Sequence, residues 1–571
     1  MTLAPLWGAL CVLLLSMAWL LPNHVEPWTS FHSDALVAWM LVCVGGVALL
    51  RSSGSISVHG LAIFVGGLAL IPLLQWVAGM LPFAGQAWIP SAYLSGCFFA
   101  MLIGQIAQVW KPVASANVLF GAIAFGSVAS VGMQLQQWFW LVDAGSLDIW
   151  LASTQGRPTA NMGQPNQLAT LHLWGLIAIG WFYWRGSIHA ATALLVAACI
   201  VLGLALTQSR TGALGLTSLC VATWIWRRRM PSPRLPAFVT SLGALYLLLL
   251  GSIPSWGHTL LLTTSGASVV DRLQGELRPA LWQMLLHAAM QHPWLGWGVN
   301  QSLQAQLGVA EQFRALHHPF FSAHNLLIDL VLWVGLPLGL LTCLVILRWL
   351  MTVARRIRSP NQILYFMMVV TVGIHSLLEF PLQYAYFLLP LGFAMGALNA
   401  DLGVWRLRNV AWSRPALVTV AAAIAVLLGV ISRDYLNVEA AYTSLRLERA
   451  DIVGVQPYKL PEVVVLTQLR EAQRLSRYEP QMGISPQPIA WALDVLAVSP
   501  SPRNFLTVAV MFGLDDRHAE AQLWLRRMCR VVTRDQCALG PKRWKAAQQK
   551  YPKLQSVPWP DLTEGGAPTV H

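Results

Sequence analysis

The chain has 571 residues, 56% hydrophobic and 11% charged, with a mean hydropathy of +0.56 and a formal net charge of +13. So apolar a chain is not freely soluble, and most of it must lie in lipid. No basic-aromatic patch falls in a soluble segment, so the positive charge is not a nucleic-acid signal.

Apolar runs long enough to cross a bilayer recur from the N-terminus to about residue 432. Spans are expected near 4–21, 34–50, 58–79, 90–110, 113–141, 166–184, 188–207, 211–227, 236–254, 322–347, 361–380, 383–400 and 415–432. That makes about thirteen helices. The first run has no basic n-region and no small-residue cleavage site, so it is expected to be retained. Arg51, Lys111, Arg185, Arg227 to Arg229, the cluster Arg348, Arg355, Arg356 and Arg358, and the trio Arg406, Arg408 and Arg414 fall in alternate connections. By the positive-inside rule those connections are cytoplasmic. The N-terminus is then inside, and an odd helix count leaves everything after about 432 outside. The expected fold is an all-α polytopic membrane protein: a transmembrane part over 1–432 with a large outer loop at 255–321, and a small helical domain over 433–571.

Polar residues sort by side. His24, Arg157, Asn161, Gln164, Asn166, Arg210, His317, His318, His324, His375, Glu379 and Gln383 map to outer loops or outer helix ends. Ionisable groups at membrane depth are costly and mark function by default. Their clustering on one face suggests a single outward-facing chamber between helices.

In "TQGRPTANMGQPNQLAT", residues 154–170, Arg157 is a fixed cation suited to phosphate oxygens, and Asn161, Gln164, Asn166 and Gln167 are neutral hydrogen-bonding groups that grip hydroxyls. The alternative is a polar loop capping a helix. Arg210, in "TQSRTGALG", either snorkels to headgroups or binds phosphate. Arg278, in "DRLQGELRPALWQ", is a third cation candidate. Two or three arginines around one cavity suit a pyrophosphate. His324, in "HHPFFSAHNLLIDLVLWVGLPLG", opens the tenth span, and as a neutral imidazole it can take a proton from a hydroxyl nucleophile, with Asn325 or a nearby carboxylate orienting it. A histidine bonding water at a helix N-terminus is the plainer reading, and His317 and His318 serve equally to shape the loop. The spacing offers no carboxylate or cysteine in register, so no metal is expected. His375 and Glu379, at i and i+4, share one helix face.

Together these stretches carry a resemblance. "LPNHVEPWTSF", "GRPTANMGQPNQLA", "SRTG", "HPWLGWGVNQ", "SAHNLLIDLVLWVGLPLG" and "HSLLEFPLQYAYFLLP" occur in order across about residues 1–432. The chain resembles the O-antigen-ligase-like superfamily of polytopic glycosyltransferases, and within it the bacterial protein O-oligosaccharyltransferases of the pilin-glycosylation type. The family motif, His-Asn followed after nine residues by a glycine pair, matches at His324, Asn325 and Gly335, with the second glycine, Gly339, one position late. The resemblance implies a GT-C-like architecture in the bacterial inner membrane with a periplasmic C-terminal domain. It implies transfer of a whole glycan from an undecaprenyl-pyrophosphate carrier to a serine or threonine hydroxyl of a periplasmic acceptor protein, with neither metal nor cofactor. His324 would be the base, and Arg157 and Arg210 would stabilise the diphosphate leaving group.

An O-antigen ligase with a lipid A-core acceptor, a Wzy-like polymerase and a transporter or flippase are the competing readings. A transporter should show internal repeats and polar groups at the midplane, and neither is seen. An asparagine-type transferase carries a Trp-Trp-Asp motif, which this chain lacks.

In the tail, Cys529 and Cys537 flank "RVVTRDQ" and are expected to pair in an oxidising compartment, the alternative being two buried free thiols. The other six cysteines lie in expected spans.

Overall fold

A backbone in lipid has no water to bond, so a chain this apolar satisfies its amides within helices. The computed structural model describes residues 4–51, 56–139, 151, 157–230, 232–259, 277–452, 457–481 and 486–562, so the loops at 142–165 and 255–321 lie partly outside the described residues. Each expected span carries a helix. Among the described residues, eight helices are long and apolar enough to cross a membrane, and Leu6–Leu20 and Ala190–Leu206 are apolar but shorter. The run expected at 58–79 is divided into Gly60–Leu68 and Ile71–Val77. The chain separates into two compact units: Met1–Leu70 with Ala92–Gln274 and Val345–Gly429, and Ile71–Ser91 with Gly275–Leu344 and Val430–His571.

In the first unit, Pro112–Trp138 packs against Ala4–Leu20 and Pro165–Trp184, and Pro360–Ser376 packs against Pro165–Trp184 and Ala385–Leu402. Small residues bring backbones together, as membrane helices require in the absence of a hydrophobic drive between them. A Cβ at Gly104 would strike the Phe393 carbonyl, and one at Gly396 the Met101 carbonyl. A carboxylate ties this packing at one end. Asp34 accepts from Ser30 Oγ at 2.6 Å, Tyr93 Oη at 2.8 Å and the Ala385 amide at 2.6 Å.

One ribbon departs from the all-α expectation. Ile56–His59 pairs antiparallel with Arg406–Trp412, with Ile56 opposite Trp412 and an irregularity between Ser57 and His59. The connection after Arg51 and the connection holding Arg406 and Arg414 therefore lie on the same side of this unit. Arg414 also donates to the Leu50 carbonyl. Two basic loops paired directly agree with the alternation of charge in the sequence.

In the second unit the tail forms successive helices, Thr467–Arg477, Pro486–Leu496, Pro502–Leu514, His518–Val531, Arg534–Ala538 and Gly540–Lys550. Their core includes Phe505, Met511, Leu525 and Trp544, and it also takes in Phe83 and Leu303. Asp434 anchors the entry to the tail by accepting from the amides of Val464, Val465 and Leu466. The tail also grips the large loop: Arg530 donates to the carbonyls of Ala310 and Phe313, and its own carbonyl accepts from the His317 amide.

Cys529 and Cys537 form a disulfide with Cα atoms 4.9 Å apart, joining His518–Val531 to Arg534–Ala538. The chain reverses at Thr533, whose side chain accepts from the Gln536 amide at 3.3 Å. A bridge closing so short a loop contributes about 2–3 kcal/mol by restricting the unfolded chain. Denatured, unreduced protein is expected to label with maleimide at Cys11, Cys43, Cys97, Cys199, Cys220 and Cys343, and to gain two labels after reduction, read by intact mass. Eight labels without reductant would remove the bridge.

Candidate functional site

The loop that carries Arg157 is shaped by glutamines from an apolar helix. Gln137, in Pro112–Trp138, accepts from the amides of Thr159 and Ala160 at 2.9 and 2.8 Å and donates to the carbonyls of Ala160 and Leu151. Gln134 donates to the carbonyls of Pro158 and Gly203, and its oxygen accepts from His172 at 2.8 Å. Asn161 is buried and donates to the Leu20 carbonyl at 2.7 Å, while its oxygen accepts from the Leu151 amide. The loop turns at Gly163, whose φ of +69° favours glycine, and a Cβ there would press on the His24 ring at 3.4 Å. Gln164 then caps Pro165–Trp184 by accepting from the Gln167 amide at 2.8 Å.

These contacts surround a cavity of about 360 Å³ lined by Arg157, His24, Gln164, Gln167, Tyr384 and Tyr386 among others. His24 Nε2 donates to the Asn161 carbonyl at 2.6 Å. Burial pushes the imidazole below the ordinary histidine range, opposed by that hydrogen bond. Tyr386 donates to Gln167 Oε1 at 2.8 Å. One guanidinium, one imidazole, two phenols and two side-chain amides line the cavity, and no carboxylate is among its described lining residues. Such a lining suits an anion or a polyhydroxyl ligand.

The other predicted residues of this unit form rungs between helices. Asn166 donates to Glu379 Oε1 at 3.0 Å and accepts from Ser209 Oγ at 2.6 Å. One turn on, the Thr170 hydroxyl and His375 Nδ1 are 2.8 Å apart. His375 and Glu379 do not share a helix face as expected, because that helix ends at Ser376. They meet Thr170 and Asn166, which are themselves i and i+4 on the facing helix. Arg210 is exposed at the start of Arg210–Ile225, beside the capping Ser209, and is not part of the cavity lining.

In the second unit His324 sits at a strained backbone position, φ +53°. Its amide donates to Ser322 Oγ at 3.0 Å. Ser322 donates to Asp329 Oδ2 at 2.6 Å, and Asp329 Oδ1 accepts from the Ala323 amide at 2.8 Å and Ser302 Oγ at 3.3 Å. The buried Asp329 thus fixes the loop that presents His324. Asn325 Oδ1 accepts from the Leu327 amide, so this oxygen caps the helix rather than orienting the imidazole. Trp282 Nε1 donates to the Ala323 carbonyl at 2.8 Å, joining the loop to Arg278–Gln291, whose first residue is Arg278. Among the described residues, no three His, Cys, Asp or Glu side chains group as a metal site.

The span expected at 322–347 is not one straight helix. Gly335, with φ +79° and ψ 168°, interrupts Leu326–Arg356. A Cβ on Gly339 would lie 2.9 Å from the Val331 Cα, whereas residues eight apart in an unbroken helix are about 12 Å apart. The break frees carbonyls, and "HPWLGWGVN" bonds them. The amides of Trp297 and Gly298 donate to the carbonyls of Leu332 and Trp333, Gln75 donates to Trp333, and the Leu336 amide donates to Pro293. Apolar composition concealed the reversal; Gly335 and Pro337 were its only marks.

Three family profiles match the chain: one described as O-antigen ligase over residues 194–343, one as protein glycosylation ligase over 158–183, and one as virulence factor membrane-bound polymerase, C-terminal, over 363–537. The first contains His324, Asn325 and Gly335, and the second begins within the Arg157 loop. Several long apolar helices make the chain a multi-pass membrane protein, and over residues 194–343 it is similar to the O-antigen ligase family. A relative from Acinetobacter baylyi named general O-oligosaccharyltransferase is 28% identical over 539 residues, covering 92% of each chain. A second from that organism, named ComP-specific O-oligosaccharyltransferase, is 25% identical over 403 residues, 68% of this chain and 70% of the relative. The glycine break and the bound "HPWLGWGVN" segment give a physical reason for Gly335 within the stretch that matches the O-antigen ligase profile. The second motif glycine, Gly339, packs against Val331, so the turn is made by Gly335 alone.

Proposed function

We propose that the protein transfers a preassembled oligosaccharide from undecaprenyl pyrophosphate to serine or threonine hydroxyls of acceptor proteins such as pilin, at the periplasmic face of the bacterial inner membrane. The observation that carries this is similarity over 92% of both chains to a general O-oligosaccharyltransferase, tail included. In this reading the N-terminus is cytoplasmic and residues 433–571 are periplasmic, where an oxidised Cys529–Cys537 pair is stable. His324 takes the proton of the acceptor hydroxyl as that oxygen bonds the anomeric carbon. The bond from the anomeric carbon to the pyrophosphate oxygen breaks, and the carrier leaves as an anion. Arg157, Arg210 and Arg278 are the cations assigned to that charge. Asn161 and Asn166, Gln164, Asn325, and His375 with Glu379 shape or line the surfaces that meet the glycan.

Purified protein, lipid-linked glycan and a candidate pilin test the reading, with acceptor mass as the readout. A mass gain of one glycan is expected. The match to a membrane-bound polymerase profile favours a second reading, so the assay includes donor alone and donor with lipid A-core. A ladder from donor alone, or transfer only to lipid A-core, would replace the protein-acceptor reading. Arg157→Lys and Arg210→Lys keep charge but lose the planar fork, so both are expected to impair transfer, with alanine worse at each position. Normal transfer by all four variants would make these arginines structural. EDTA is expected to leave the rate unchanged; loss of activity restored by a divalent ion would overturn metal independence.

A further inference from the structure

Arg278–Gln291 has three faces rather than two. Leu281, Leu285 and Ala288 are buried in the second unit. Gln283, His287 and Gln291, each four apart, form an exposed polar edge. Between these faces Leu286 and Met290 are exposed, Met290 to 63%, and just beyond the helix Trp294 is 75% and Leu295 69% exposed. A helix with one side on protein needs only a polar outer face in water. An apolar outer stripe next to a polar edge is the pattern of a helix lying in a membrane interface.

The stripe has a fixed place relative to a membrane helix. The Leu336 amide donates to the Pro293 carbonyl at 2.7 Å, and a Cβ on Gly335 would touch the Trp294 carbonyl. Trp294 and Leu295 therefore sit at the start of the apolar helix that runs from Leu336 to Arg356. That helix exposes Leu340 and Leu344 within its first turns, at 52% and 62%. The stripe is thus continuous with the exposed apolar face of a candidate membrane span, and Trp is the residue enriched where such helices meet the headgroups.

We infer that Leu286, Met290, Trp294 and Leu295 bind the bilayer interface, so that Arg278–Gln291 lies along the membrane surface and not in a soluble loop. The Ala323 carbonyl, held by Trp282 of the same helix, brings the His324 loop to the edge of that surface.

Spin labels decide this. Met290→Cys, Leu295→Cys and His287→Cys are made in full-length protein whose six free cysteines are alanine, then reconstituted in phosphatidylethanolamine–phosphatidylglycerol liposomes. Power saturation compares collisions with oxygen, which concentrates in lipid, and with a water-soluble nickel chelate. An oxygen-to-nickel ratio several-fold higher at both 290 and 295 than at 287 is expected. A ratio at either position no higher than at 287 overturns the inference.

Discussion

His324→Ala is expected to insert, fold and bind detergent as the wild type does, and to lose glycan transfer by at least about a hundredfold, the usual lower range of a general base. The His324 loop is held by the Ser322–Asp329 and Ala323–Asp329 hydrogen bonds, which use the serine side chain and backbone and leave the ring out. Removing the ring takes away the proposed proton acceptor and the edge contact with Phe320 while leaving these hydrogen bonds in place. Asp329→Ala provides the contrast: it strips the partners from Ser322, Ala323 and Ser302 together, so transfer and thermal stability should fall as one. Wild-type acceptor mass from His324→Ala would end the assignment of this residue as the base.

Gly335→Ala should unfold the second unit locally or prevent its accumulation. A φ of +79° with ψ 168° is open essentially to glycine, and a non-glycine residue held there costs about 1–3 kcal/mol from the backbone alone. The new methyl would also overlap the Trp294 carbonyl and lie 2.9 Å from the Leu295 amide nitrogen, so "HPWLGWGVN" could not stay bonded to Leu332 and Trp333. Those carbonyls would lose partners where water is scarce. Gly373→Ala is the control, a helical glycine with open space around its missing Cβ, expected to be neutral or slightly stabilising. The measurement is the monodisperse fraction left after heating in detergent. Equal curves for Gly335→Ala and the wild type would mean that the break does not depend on glycine.

The helices could be read from the chain because twenty apolar residues in a row have one solution in lipid. The break at Gly335 could not, since a run that reverses within an apolar stretch has the same composition as one that crosses. The candidate cavity was partly legible. Arg157 and Gln164 stood out as polar groups in a short loop, but Gln134 and Gln137 were hidden inside an apolar span as "GMQLQQW", and nothing in "QYAYF" marked Tyr384 and Tyr386 as lining residues. A carboxylate near His324 is expected from the sequence, but Asp329, five residues on, is not singled out, because a single acid in an apolar helix shows its purpose only when its three donors are seen. His375 and Glu379 were spaced for one helix face, yet the helix stopped between them.

The grip of Gln137 on the Arg157 loop falls wholly on main-chain atoms, the amides of Thr159 and Ala160 and the carbonyls of Ala160 and Leu151. Every residue but proline supplies the same amide, so this grip does not depend on the side chain at 159, whereas Asn161 and Gly163 fix the next part of the loop by their own identity. Arg157 makes none of these bonds, so its side chain can be exchanged without releasing the grip, and selection can redraw the charge the cavity presents while the Gln137 contacts beneath it stay unchanged.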